Sequence, residues 1–159
     1  MHDHDAQPSG LTRRRVLGGM GLASLALIPS AASAQEANES TQQRNAPSAI
    51  AVVDPAGDLL AFQRMDGVRP ASADLAIEKA RTAARLQRST AEVEDNINQG
   101  RTAFVTAGNP ALRGGVPIRV NGAVVGAVAV AGLSKEIDAE IASTTATALS
   151  PTPMTARRR

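Results

Sequence analysis

A chain of 159 residues has room for one domain, and this one has no cysteine, tryptophan or tyrosine and only two phenylalanines. Disulfide scaffolds and aromatic base-stacking platforms are thereby excluded. The sequence pI near 9.9 owes much to the two ends, where Arg13, Arg14 and Arg15 and then Arg157, Arg158 and Arg159 sit. The body between them is close to charge balance, which argues against nucleic acid as a partner.

Leu11-Thr12-Arg13-Arg14-Arg15-Val16-Leu17 reads as a twin-arginine export signal. The weakly apolar run over residues 16–28 contains Gly18, Gly19 and Gly21 and is shorter than a membrane-spanning helix requires, so it reads as the core of a leader and not as a stable anchor. Pro29 and Ser30 end it. Ala32-Ser33-Ala34 then presents small residues at the positions a signal peptidase inspects, which places the cut before Gln35. The expected organisation is a leader over 1–34, a polar linker over 35–48, a domain over 49–149 and a disordered tail over 150–159. The expected location is the periplasm, with the twin-arginine machinery as export partner.

Residues 35–48 show no apolar period of 2 or 3.6. Residues 49–53 and 59–65 read as two strands around the turn Asp54-Pro55-Ala56-Gly57-Asp58. Asp66-Gly67 ends the second, with Gly67 suited to positive φ. A helix follows to about Gln87, with Ser72 as a capping hydroxyl, Asp74 in its first turn and an inner face of Leu75, Ala76, Ala80, Ala83 and Leu86. Such small side chains leave room for a flat guest.

Ser89-Thr90-Ala91-Glu92 matches a capping box and opens a shorter helix that Gly100 ends. Residues 102–106 predict a strand. Gly114-Gly115 precedes a hairpin whose strands flank Asn121-Gly122, the dipeptide of a type I′ turn, and Pro117 belongs at a strand start or edge. Ser134 caps a last helix with Ile137, Ile141, Thr145 and Leu149 on one stripe, stopped by Pro151. The order predicts an α+β domain with a single antiparallel sheet of about five strands and helices packed on it.

His2 and His4 lie in the leader, so after export neither Ser–His nor Cys–His catalysis is available. No carboxylate or lysine pair is placed for acid–base work, and an enzyme is not the first reading. Glu92, Glu94 and Asp95 read as a solvated helix face. Lys79, five residues from Asp74, is not its helix partner and is open to a ligand or to solvent. Gly114-Gly115 could cradle an anion with backbone amides or simply make a bend.

In their order and spacing several strings resemble the GlcG/HbpS family of small haem-binding proteins. They are Ala51-Val52-Val53-Asp54, Arg64-Met65-Asp66-Gly67, Ser72 and Asp74 with Lys79-Ala80-Arg81-Thr82-Ala83, Gly114-Gly115-Val116-Pro117-Ile118, and Val125-Gly126-Ala127-Val128-Ala129-Val130 followed by Asp138-Ala139-Glu140-Ile141-Ala142. The resemblance implies a profilin-like or PAS-like sheet, a tendency to form homo-oligomers, and haem or a related tetrapyrrole as cofactor. It also implies a helix before the first strand, which reads here as missing.

The ligand is then expected against the Lys79 helix and the double glycine. The cofactor-binding candidates are Arg64, Met65, Asp74, Lys79, Thr82, Thr102, Arg113, Gly114 and Gly115. Arg64, Arg69 and Arg113 would meet propionates, and either Met65, Lys79 or Thr102 would approach the iron or haem would be held without a protein ligand. A haem-degrading or small-acid accessory enzyme, and a structural oligomerising subunit without ligand, are the alternatives.

Overall fold

The computed structural model describes residues 31–132 and 134–150. The twin-arginine stretch, the apolar run behind it and the arginine tail lie outside them. The first element is a helix, α1 (Ala31–Gln43), then strands β1 (Ala49–Val53) and β2 (Leu59–Arg64), helices α2 (Ala71–Leu86), α3 (Thr90–Asn98) and α4 (Ala103–Thr106), strands β3 (Gly115–Val120) and β4 (Ala123–Ala131), and helix α5 (Lys135–Ala148).

The four strands form one antiparallel sheet in the order β2-β1-β4-β3, one fewer than the sequence predicts. Residues 102–106 make the single turn α4 instead of a strand. Gly100 and Gly108, both at positive φ, bracket it, Val105 is 60% exposed, and the Arg101 guanidinium stacks on the Phe104 ring at 5.2 Å. Apolar, β-branched residues with no neighbouring strand to pair with do not make a strand.

The polar segment over 35–48 is also corrected. It is mostly α1, and the helix reading as missing before the first strand is present. Its buried positions, Ser33, Ala34, Ala37 and Thr41, recur at helical spacing, but they are small or hydroxylated and give little hydropathy signal.

Strand alternation sorts side chains to the two faces of the sheet. Ile50, Val52, Val128 and Val130 point to one face, where α1 brings Ala34 and Ala37 and α5 brings Ile141, Ala142, Ala146 and Leu149. Ala49, Ala51, Val53, Ala127, Ala129 and Ala131 point to the other, against Ala76, Ala80, Ala83 and Ala84 of α2. The result is three layers, with β1 buried along its whole length.

Local signals hold where they rest on turn and cap chemistry. Asn121 and Gly122 both have positive φ, and Val120 faces Ala123 across the turn. Ser89 accepts from the Glu92 amide at 3.2 Å and Ser134 from the Ile137 amide at 3.4 Å. Pro117 lies on the edge strand β3, where its missing donor costs no ladder bond. Ser72 differs from expectation: α2 has no side-chain cap, and this serine is buried inside the helix. Among the described residues no helix is long and apolar enough to cross a membrane.

Candidate ligand cleft and the closed face of α2

Where β2 ends, the chain turns through Met65, Asp66 and Gly67, and α1 passes alongside. Asn38 and Gln42, one helical turn apart, line an open cleft of about 690 Å³ together with Gln63, Arg64, Met65 and Asp66, a size ordinary for small-molecule sites. The Thr41 hydroxyl is shared between the Asn38 carbonyl at 2.7 Å and the Met65 sulfur at 3.0 Å, which ties the thioether to α1. The Met65 amide donates to the Ser48 carbonyl at 3.1 Å.

Arg64 donates to the Val68 carbonyl through one guanidinium nitrogen, at 3.0 Å. Its remaining donors are available to an anion. Two amide oxygens beside the cleft, Asn38 Oδ1 and Gln63 Oε1, are buried without a hydrogen-bond partner, a costly state that a bound polar group relieves. The guanidinium suits a carboxylate arm and the thioether a soft metal, whereas the two amide oxygens accept hydrogen bonds and call for a donor.

The opening expected between α2 and the sheet is absent. Ala76, Ala80 and Ala83 are fully buried, as are Ala49, Ala51, Ala127 and Ala129 opposite. Small side chains on both surfaces let helix and sheet approach until they touch, so no slot for a flat guest remains. The double glycine is part of this contact. A Cβ on Gly115 would lie 2.5 Å from the Lys79 carbonyl oxygen, and one on Gly114 would lie 2.7 Å from the Val130 carbonyl oxygen. The Gly115 amide donates inward to Thr90 Oγ1 at 2.9 Å, and the Gly114 carbonyl accepts from the Val130 amide at 2.9 Å.

Lys79 faces neither solvent nor a ligand opening. It is 1% exposed, and its Nζ donates to the Val130 carbonyl at 3.1 Å and to Asp138 Oδ2 at 3.3 Å. Asp138, on α5, also accepts from the Gly132 amide through both oxygens, at 2.9 and 3.0 Å. The pair links the helices on opposite faces of the sheet past the end of β4. Burial pulls the Lys79 ammonium below its usual range, against the opposing pull of Asp138. Burial likewise pushes Asp138 up, although the Gly132 amide and Lys79 favour its charged form.

The other candidates are scattered. Asp74 is exposed in the first turn of α2, Thr82 is buried on the same helix, and Thr102 stands exposed just before α4. Arg113 forms ion pairs with Glu94 and, at 2.6 Å, with Asp95, so its guanidinium is already engaged. Glu94 is buried, not on a solvated face, and it also holds Lys135 at 2.7 Å. Burial raises its pKa, but hydrogen bonds and charge from Lys135 and Arg113 outweigh that and hold it below the usual glutamate range. Arg69 donates to the Gly132 carbonyl at 3.3 Å.

Of the predicted set, only Arg64 and Met65 come together at an opening. Asn38, Gln42 and Gln63 join them from positions that sequence reading passes over, since polar residues in a segment taken as linker carry no signal of a cleft. Among the described residues no cluster of three metal-ligating side chains occurs.

This is a small α+β domain of one antiparallel sheet, closed on its alanine face and open at the α1 edge, and comparisons with known proteins agree with that class. Residues 30–147 match the family described as "Haem degrading protein HbpS-like", and the chain belongs to that family. It is similar to protein GlcG of Escherichia coli K12, 50% identical over 93 residues that cover 58% of this chain and 69% of that protein. Among solved structures it is similar to a double mutant of Streptomyces reticuli HbpS, with a TM-score of 0.70 and 30% identity over 93% of this chain and all of that one. It is also similar to PduOC in its haem complex, with a TM-score of 0.66 and 27% identity over 73% of this chain and 88% of that one.

Proposed function

We propose that this protein binds haem or a related tetrapyrrole in the cleft between α1 and the end of β2. The observation that carries the reading is the meeting of Arg64 and Met65, a carboxylate-binding guanidinium and a soft sulfur, around one opening. Arg64 pairs with a propionate, Met65 offers sulfur to the iron side, and Asn38, Gln42 and Gln63 hold the polar rim. The haem complex of a structural relative supports the choice of ligand. Bound haem supplies a redox-active iron, and the residues around it orient the ring and neutralise its acid arms.

In the same proposal the chain is exported through Arg13-Arg14 and its leader, works in the periplasm, and assembles as a homo-oligomer through exposed apolar positions such as Leu59, Leu60 and Phe62. Titrating purified protein with hemin tests the ligand. A saturable Soret shift at micromolar protein is expected, with affinity falling roughly tenfold for Arg64→Ala, the value of one charge-assisted hydrogen bond. No shift with the unaltered protein removes the proposal.

A haem-degrading activity is a second reading, favoured by the description of the family. Adding a reductant and oxygen to the complex separates the two, because a degrader loses the Soret band while a binder keeps it.

A further inference from the structure

Ala32-Ser33-Ala34, the small-residue site for leader removal, does not precede the folded domain but forms part of it. The three residues lie in the first turn of α1, with Ser33 at 1% and Ala34 at 0% exposure. Ala34 belongs to the core cluster that includes Ile50, Val52, Val130 and Ile141. Gln35, the residue after the proposed cut, is anchored through its side chain: it donates to Glu39 at 3.2 Å and accepts from Gln63 at 3.3 Å.

A peptidase takes its substrate as an extended strand, with small side chains seated in its pockets and the scissile carbonyl free. Helical geometry denies the carbonyl, which is bonded one turn ahead, and burial denies the Ala34 side chain, whereas Ala32 is exposed and restrained by its place in the helix. Hydrolysis breaks the Ala34–Gln35 amide: water gives its hydroxyl to the Ala34 carbonyl carbon and a proton to the Gln35 nitrogen. Neither atom is reachable while the turn is docked.

We infer that packing of the α1 N-terminus and removal of the leader exclude each other, so that signal peptidase acts only on chains whose first α1 turn has undocked. The inference rests on reading residues 1–34 as a leader. A chain that passes the membrane folded therefore keeps its leader until that turn opens. Once cut, it has lost Ser33 and Ala34 from the core and ends beside the ligand cleft.

The test is a digestion of the folded full-length chain by signal peptidase in mild detergent, read by intact mass. A synthetic peptide of residues 25–42 and the variant Glu36→Pro serve as references. Proline at 36 clashes with the Ala32 carbonyl and drives Gln35 toward extended backbone, which frees the turn while leaving the rest of α1 in place.

The folded chain is expected to be cut at Ala34–Gln35 about tenfold or more slowly than either reference. Equal rates for folded chain and peptide overturn the inference. A peptide left uncut at this bond overturns it too, and in that case the leader reading itself has failed. Should Glu36→Pro not fold, the native chain is digested in sub-denaturing urea instead. A rate that climbs with urea supports the inference, and a rate flat at the peptide's value contradicts it.

Discussion

Lys79 and Asp138 show why a single residue type is a poor guide to its role. A lysine on a helix of alternating charge reads as surface, yet it lies in the interior because a carboxylate 59 positions away in sequence meets it. Nothing local in the sequence announces that partner. Removing two ions from water costs much of what their attraction returns, so the pair as a whole adds little net stability, while either half alone is costly. Asp138→Ala is expected to lower unfolding free energy by about 3–5 kcal/mol in urea titrations, and Lys79→Met paired with Asp138→Leu to recover most of it. A single Asp138→Ala with unchanged midpoint would show the charges to be independent.

Gly115 is legible only in part. The doubled glycine marks the place, but the reason is the Lys79 carbonyl oxygen where a methyl would go. Gly115→Ala should destabilise by about 1–3 kcal/mol through overpacking, with hemin affinity unchanged if the ligand lies at the α1 cleft.

Glu94 sets an acid limit. Its pKa in the folded protein is lowered, so the unfolded chain takes up its proton first as pH falls. Its contribution to stability is therefore full above the ordinary glutamate value of about 4.3 and is lost as pH drops through the lowered folded value. Glu94→Gln should flatten that acid limb, as measured by melting temperature against pH, and leave the neutral region less stable.

At the scale of elements, the parts that could be read were those whose chemistry is short-range. Asn121-Gly122 specifies its hairpin through two positive φ angles, and Ser89 and Ser134 specify helix starts through one hydrogen bond each. The parts that misled depend on what surrounds them. Phe104 and Val105 have strand-forming side chains but no strand beside them.

In α1 the buried stripe consists of serine, alanine and threonine, so a segment that looks like linker is instead one wall of the core. That assignment is testable, since a charge placed on the stripe has no water to meet. Ala37→Asp should cost about 3 kcal/mol, visible as a lower urea midpoint, whereas the same change at the exposed Glu39 position of α1 should cost almost nothing.

For the whole molecule, the α+β class and the family could be read from the order of strings across residues 49–149, because spacing between motifs survives when no single motif is specific. The site could be read only halfway. Arg64-Met65 was visible as a string, but its setting depends on a helix whose sequence hides it. The alanine face of α2, which suggests space, produces contact because the sheet opposite is alanine as well. The proposed binding site is thereby moved from the interior of the layered structure to its α1 edge.

Nuclear magnetic resonance of the labelled protein with ferric haem tests that placement most directly, because the paramagnetic iron broadens nearby amides. Broadening centred on Asn38, Gln42 and residues 63–66, with the amides of Lys79, Gly114 and Gly115 left sharp, is the expected pattern. Broadening centred on α2 and the double glycine, or on Thr102 and α4, would contradict it.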